Sequence, residues 1–372
     1  MEHYLDNAAT TKPCAEAAAA VMSCISAHYG NPSSLHRKGL EAQHEVEYAR
    51  NQIAGALGCK AQEIVFTSGA TESSNLAIRG AVAAYGRKRK KIVASAVEHA
   101  SVKATLSYLE TLGFTVVTVP PAADGEYHTE DFLREIDSSV CLVSMMLVNN
   151  ENGCRLPVEN VFRMVKRNDP EIITHCDAVQ GFLKIPFKPR TLCADLVSVS
   201  GHKVHALKGV GALYIRHGVR VKPILCGSEQ ERGLRPGTES VPLIASFGAA
   251  TEKLSLNIEE RLERVSQLRS SLIAQLREMD GVIIRDIEGA SPYVLNISLL
   301  GYRSEIVLHY LEQREVYVSS GSGASSGVLE LFGAKPAEVD SALRISFCAE
   351  NTEEDIAALV QGLGDAQKEL MH

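Results

Sequence analysis

From about residue 62 to residue 215, short apolar strands alternate with helical stretches, and polar residues collect where the strands end. That ordering leaves few choices. It describes a mostly parallel sheet with helices on both faces, binding its ligand at the carboxyl ends of the strands. Strands read at 64–66, 92–95, 141–148 and 172–177, with a strand–turn–strand unit over 195–215. Helices read at 15–28, 40–57 and 72–85.

After residue 215 the pattern changes. A polar, glycine-containing loop covers 227–238, and a loop of that length inside a compact chain is usually functional. One long helical region follows, 241–279, with leucine, isoleucine and valine near helical spacing. Strands at 282–284, 294–298, 316–319 and 343–347, a helix at 304–313 and a last helix from 353 complete an α+β order. The expectation is a large α/β domain over 13–250. A smaller α+β domain would comprise 1–12 and 251–372, with residues 4–13 as an irregular arm.

The 372 residues allow a large core. A net charge of -7 argues against general affinity for nucleic acid or acidic membranes, and the single basic run, Arg87 to Lys91, reads as a solvated helix end. No apolar run is long enough to cross a bilayer, and no signal peptide is read at the N-terminus. Nine scattered cysteines without a Cys-x-x-Cys pair suit a reducing, cytoplasmic compartment and speak against zinc or disulfides. Metal binding is expected neither at His175-Cys176-Asp177, where neighbours face opposite sides of a strand, nor at His202 and His205.

The chemistry concentrates at strand ends. In Ser200-Gly-His-Lys203 a buried strand empties onto a lysine. Desolvation there lowers proton affinity and leaves an amine nucleophile. Such an amine forms a Schiff base with an aldehyde, and the aldehyde cofactor of proteins is pyridoxal phosphate. The alternative is a lysine whose stem lies on apolar surface with its head in water. At Ser68-Gly-Ala-Thr71 a strand feeds a glycine turn and a helix start, either an anion cradle or a βα turn capped by Thr71. His99 could stack on a planar ring or cap the next helix. Asp177 could hold a protonated pyridine nitrogen or act as an N-cap. Arg344 could clamp a carboxylate or be an edge-strand charge.

Taken in order, the motifs cover nearly the whole chain. They are Tyr4-Leu-Asp-Asn-Ala-Ala-Thr-Thr11, Gly30-Asn-Pro-Ser-Ser34, Phe66-Thr-Ser-Gly-Ala-Thr-Glu-Ser73, Glu98-His99, Val148-Asn-Asn-Glu-Asn-Gly153, Asp177-Ala-Val-Gln180, Ser200-Gly-His-Lys203, Arg235-Pro-Gly-Thr238 and Arg344-Ile-Ser-Phe347. Together they resemble the cysteine desulfurases, a branch of the class V aminotransferase group with the fold-type I pyridoxal phosphate architecture. The resemblance implies a large, mostly parallel sheet of seven-stranded type and a smaller α+β domain. It implies that Lys203 carries the cofactor and shuttles protons, that His99 stacks on its ring and helps proton transfer, and that Asp177 pairs with the ring nitrogen. Gln180 would bond the ring hydroxyl; Ala70, Thr71, Ser200 and His202 would hold the phosphate. Asn150 and Arg344 would fix the substrate carboxylate, with Asn150 also beside the cofactor. Thr238 would reach the phosphate of the other subunit, which implies a homodimer with shared sites. L-Cysteine would be the substrate, a sulfur-acceptor protein a partner, and iron–sulfur cluster assembly a destination of the sulfur.

One position departs from the resemblance. The family's sulfur step uses a cysteine thiolate after a Ser-Ser-Gly-Ser strand end. Here the stretch is Ser319-Ser-Gly-Ser-Gly-Ala324-Ser-Ser326, and the cysteine position holds Ala324. A serine hydroxyl cannot become a persulfide. The expectation is an intact cofactor half and a disabled persulfide half. Two alternatives stand beside it: a pyridoxal phosphate lyase or aminotransferase working on a small amino acid without an enzyme thiol, and a non-catalytic binding protein of sulfur transfer.

Overall fold

The computed structural model describes residues 2–321 and 326–370. Its strands, in chain order, are β1 (His3–Tyr4), β2 (Ile64–Thr67), β3 (Lys91–Ser95), β4 (Thr115–Val119), β5 (Val140–Met146), β6 (Ile173–Asp177), β7 (Leu196–Ser200) and β8 (Gly211–Ile215). Then follow β9 (Val282–Arg285), β10 (Val294–Leu299), β11 (Val316–Tyr317), β12 (Ser319–Ser320) and β13 (Ala342–Ser346).

Seven strands form one sheet in the order β2-β8-β7-β6-β5-β3-β4. The pairs β7–β6, β6–β5, β5–β3 and β3–β4 are parallel, and β8 runs antiparallel to both neighbours. The parallel strands point their carboxyl ends to one rim. Central strands such as β5 are buried along their whole length, which is why they read as mostly apolar runs, with Ser144 the one polar residue in β5. Helices cover both faces, and the apolar core divides into a larger cluster on one side and a smaller one on the other.

A second sheet, β12-β13-β10-β9, is antiparallel throughout and has its own core around Leu272, Leu295, Ile297, Leu343 and Phe347. The arm is less irregular than expected. Its first residues, β1, pair in parallel with β11, because an extended chain can satisfy its amides on the edge of a short neighbouring strand. Likewise 316–319 is not one strand: β11 pairs with the arm, and β12 with β13. The long helical region expected over 241–279 is two helices, Val241–Ser255 and Ile258–Leu276. The first packs Ile244, Phe247 and Leu254 into the core of the large sheet, and the second packs Val265, Leu268 and Leu272 under the small one. One straight helix cannot serve both cores, and the break falls at Leu256 and Asn257, where Asn suits a helix start.

Candidate active site

At the carboxyl rim of the large sheet lies a cavity of about 750 Å³. That is an ordinary size for a small-molecule site. Ala70, Thr71, His99, Asn150, Asp177, Gln180, Ser200, His202, Lys203 and Arg344 all line it. Thr238 is exposed and does not. Ala324 lies outside the described residues.

Lys203 sits in a tight turn after β7, and its Nζ donates to the carbonyls of Ala8 (2.5 Å) and Ala9 (2.6 Å). Burial, aided by the charge of Arg344, lowers its pKa from 10.5 to about 8. Asp177 ends β6 and is buried; Oδ1 accepts from the Val179 amide at 3.0 Å. Burial raises its pKa, opposed by His99 and Lys203. His99 is the helix cap that one sequence expectation named, and it lines the cavity as well. It caps the helix Ala100–Thr111, Nδ1 accepting from the Ser101 amide at 3.2 Å, and it still faces the cavity. With Nδ1 an acceptor, a neutral ring carries its proton on Nε2.

The helix Ala70–Tyr85 opens at Gly69, so the first-turn amides have no intrahelical acceptor and offer an anion site. Thr71 is not the cap. A Cβ on Gly211 would meet the backbone of Gly69 at 2.7 Å, so glycine lets β8 press against this turn. His202 stays neutral, since burial and Lys203 lower its pKa to about 4.

Arg344 is more heavily engaged than its sequence position suggests. Its terminal nitrogens donate to Asp6 Oδ1 (3.2 Å), Ser319 Oγ (2.9 Å), Glu151 Oε1 (3.2 Å) and the Asn150 carbonyl (3.3 Å). A carboxylate arriving at Arg344 would have to displace some of these. Gln180 donates from Nε2 to Ala8 O (3.0 Å) and accepts from Lys184 Nζ (2.9 Å). Glu98, buried beside His99, accepts from the Met146 amide at 2.6 Å and from Ser95, and burial lifts its pKa to about 8. The carbonyls of Ala8 and Ala9, with Asp6, Glu151 and Lys184, are the site residues that motif reasoning missed. Backbone acceptors have no signature in a sequence. Lys184 had one: a lysine inside an otherwise apolar stretch, Phe182-Leu-Lys-Ile185.

The donor set fits one kind of guest. An anion suits the helix end, a protonated ring nitrogen suits a buried carboxyl such as Asp177, and a carbonyl carbon suits an amine such as that of Lys203. A rim of this sheet order carrying those three receptors defines a fold-type I pyridoxal phosphate enzyme. The chain belongs to the class-V aminotransferase family, whose model matches residues 3–359. Within it, the chain is 37% identical over 368 residues to the cysteine desulfurase of Trichormus azollae, covering 96% of this chain and 91% of that one. It is 38% identical over 346 residues to cysteine desulfurase IscS of Dictyoglomus turgidum, covering 92% and 86%. A solved NifS-like protein superposes with a TM-score of 0.94 at 36% identity, covering 99% of this chain and all of that one.

Proposed function

We propose that this chain carries the cofactor and substrate site of a pyridoxal phosphate-dependent desulfurase, the reaction that takes L-cysteine and releases L-alanine. The observation that carries the reading is the cavity itself. One space holds an amine of lowered proton affinity, a buried acid and a helix N-terminus. When bound, the cofactor supplies an aldehyde for the substrate amine and a ring that accepts electrons from the substrate Cα. Ala70, Thr71, Ser200 and His202 would hold the phosphate. Asp177 would hold a proton on the ring nitrogen, and Gln180 would donate to the ring hydroxyl. Lys203 Nζ takes and returns the proton at the substrate Cα, with a pKa suited to work near neutral pH. His99 would contact the ring and present Nε2–H as a proton donor. Arg344 and Asn150 receive the substrate carboxylate.

The sulfur step needs a thiolate. It attacks the substrate Sγ, the Cβ–S bond breaks, its electron pair stays with carbon and a proton follows. The attacking thiol becomes a persulfide. No cysteine lines the cavity among the described residues, and Ala324 holds the nucleophile position. The chain's own persulfide step is therefore missing in this reading. The same observation favours a second one, a lyase or aminotransferase that forms a keto acid from a small amino acid. We further propose a cytoplasmic homodimer in which the exposed Thr238 reaches the partner's phosphate, with a sulfur-acceptor protein downstream. The division into a 13–250 domain and a domain of 1–12 plus 251–372 belongs to the same reading.

The test is product analysis with L-cysteine on the cofactor-loaded protein and on Ala324→Cys. The expected outcome is a gain of alanine and of persulfide sulfur in Ala324→Cys. No gain with cofactor bound contradicts the desulfurase reading, and pyruvate with free sulfide from the parent supports the lyase.

A further inference from the structure

Behind the lysine turn, away from the cofactor cavity, three side chains of metal-binding type converge. They are His205, Cys348 and Glu350, and their ligand atoms all lie within 4.8 Å of one another. No other such group of three gathers among the described residues. None of the three lines the cofactor cavity, so the proposed reaction gives them no task.

His205 is presented with care. Its backbone is left-handed, at a φ of 59°, where a non-glycine residue is uncommon. The turn is held there by its amide donating to Thr11 Oγ1 (2.7 Å) and by the Cys14 amide donating to its carbonyl (2.9 Å). Nδ1–H donates to the Lys12 carbonyl at 2.9 Å. That bond fixes the tautomer and leaves the Nε2 lone pair free, the second-shell arrangement usual for a metal-ligating histidine. Nε2 stands 3.7 Å from Glu350 Oε2. Ligands around a tetrahedral zinc ion, at bonds of about 2.0–2.3 Å, lie roughly 3.3–3.8 Å apart. The Glu350 side chain is 56% exposed and free to adjust.

A small void of about 20 Å³ adjoins all three residues. It is large enough for one water or one ion. Three cations also border it, Arg261, Lys184 and Lys203. All three are turned to other acceptors: Arg261 donates to the Leu183 carbonyl at 2.9 Å, Lys184 to Gln180 at 2.9 Å, and Lys203 to the carbonyls of Ala8 and Ala9.

We propose that His205, Cys348 and Glu350 bind a divalent cation of the zinc class, with three protein ligands and an open fourth position. Imidazole, thiolate and carboxylate together suit zinc and exclude the oxygen-seeking calcium and magnesium. On binding, the Cys348 thiol gives its proton to solvent and no electrons move. The ion joins the turn that carries Lys203 to the chain just beyond β13, which carries Arg344. It thereby braces the amine and the guanidinium against each other. No metal is expected at His205 from sequence, because its partners stand far along the chain and only the fold assembles them.

The test uses the cofactor-loaded protein dialysed against Co²⁺. The expected result is retained cobalt at one per chain, with the visible ligand-field bands of a tetrahedral site, displaced by Zn²⁺ and absent in Cys348→Ser. Glu350→Gln changes an exposed side chain, so the protein folds, and cobalt affinity falls at least about tenfold. Cys226→Ser, at the one exposed thiol, leaves the bands in place. Absence of bands, bands that persist in Cys348→Ser, unchanged affinity in Glu350→Gln, or bands lost in Cys226→Ser each overturns the proposal.

Discussion

At Lys203 opposing influences meet. Burial and Arg344 weaken its hold on a proton, while Asp6, Asp177 and Glu151 strengthen it. Burial is the largest cause, and the pKa falls from 10.5 to about 8. Below that pH the group is a buried ammonium, which disfavours folding; the penalty fades as the pH rises from about 8 towards 10.5. The same shift governs reactivity, since only the free amine attacks an aldehyde. Cofactor capture by the apoprotein is expected to speed up with pH and level off above about 8. Stopped-flow absorbance across a pH series checks this. A rate that keeps climbing past pH 10, as for a lysine in water, contradicts it.

Among the elements, the helix Ala70–Tyr85 depends on a neighbour for its placement. Gly211 at the start of β8 lies so close to Gly69 that one methyl group would collide with backbone. Gly211→Ala is expected to cost about 1–3 kcal/mol, the usual range for overpacking. It should also weaken inorganic phosphate and cofactor binding together, because the turn must move. Denaturant unfolding and cofactor titration check both; unchanged values in both contradict the placement. Elements with their own pattern were legible in the sequence. Buried strands such as β5 and β7 are mostly apolar, and the polar ends of the buried strands mark Lys203, Asp177 and Asn150. The edge strand β4 gives little signal, since most of its residues are exposed or half-buried. The helix Val158–Asn168 carries Val158, Val161, Phe162 and Val165 at helical spacing, a signal that a reading centred on strand ends passes over. The basic run was half legible: Arg89 pairs with Asp169 and Glu171, and Lys91 with Glu135 and Asp137, acids a linear reading cannot pair with it.

Across the whole molecule, the N-terminal arm stitches the two sheets at the site. Tyr4 pairs with Tyr317, Asp6 bridges to Ser346 and holds Arg344, and Ala8 and Ala9 hold Lys203. Motif order anticipated ten of the residues that line the cavity, though not the exposed position of Thr238; it could not predict this stitching, which runs through backbone carbonyls and contacts between the chain's two ends. The cofactor's aldehyde is expected at the point where arm, large sheet and small sheet converge. Borohydride reduction of the cofactor-loaded protein followed by peptide mass analysis tests this most directly. The account predicts the reduced pyridoxal phosphate mass on Lys203 and its loss in Lys203→Ala. An unlabelled Lys203, or a label on another lysine such as Lys184, contradicts it.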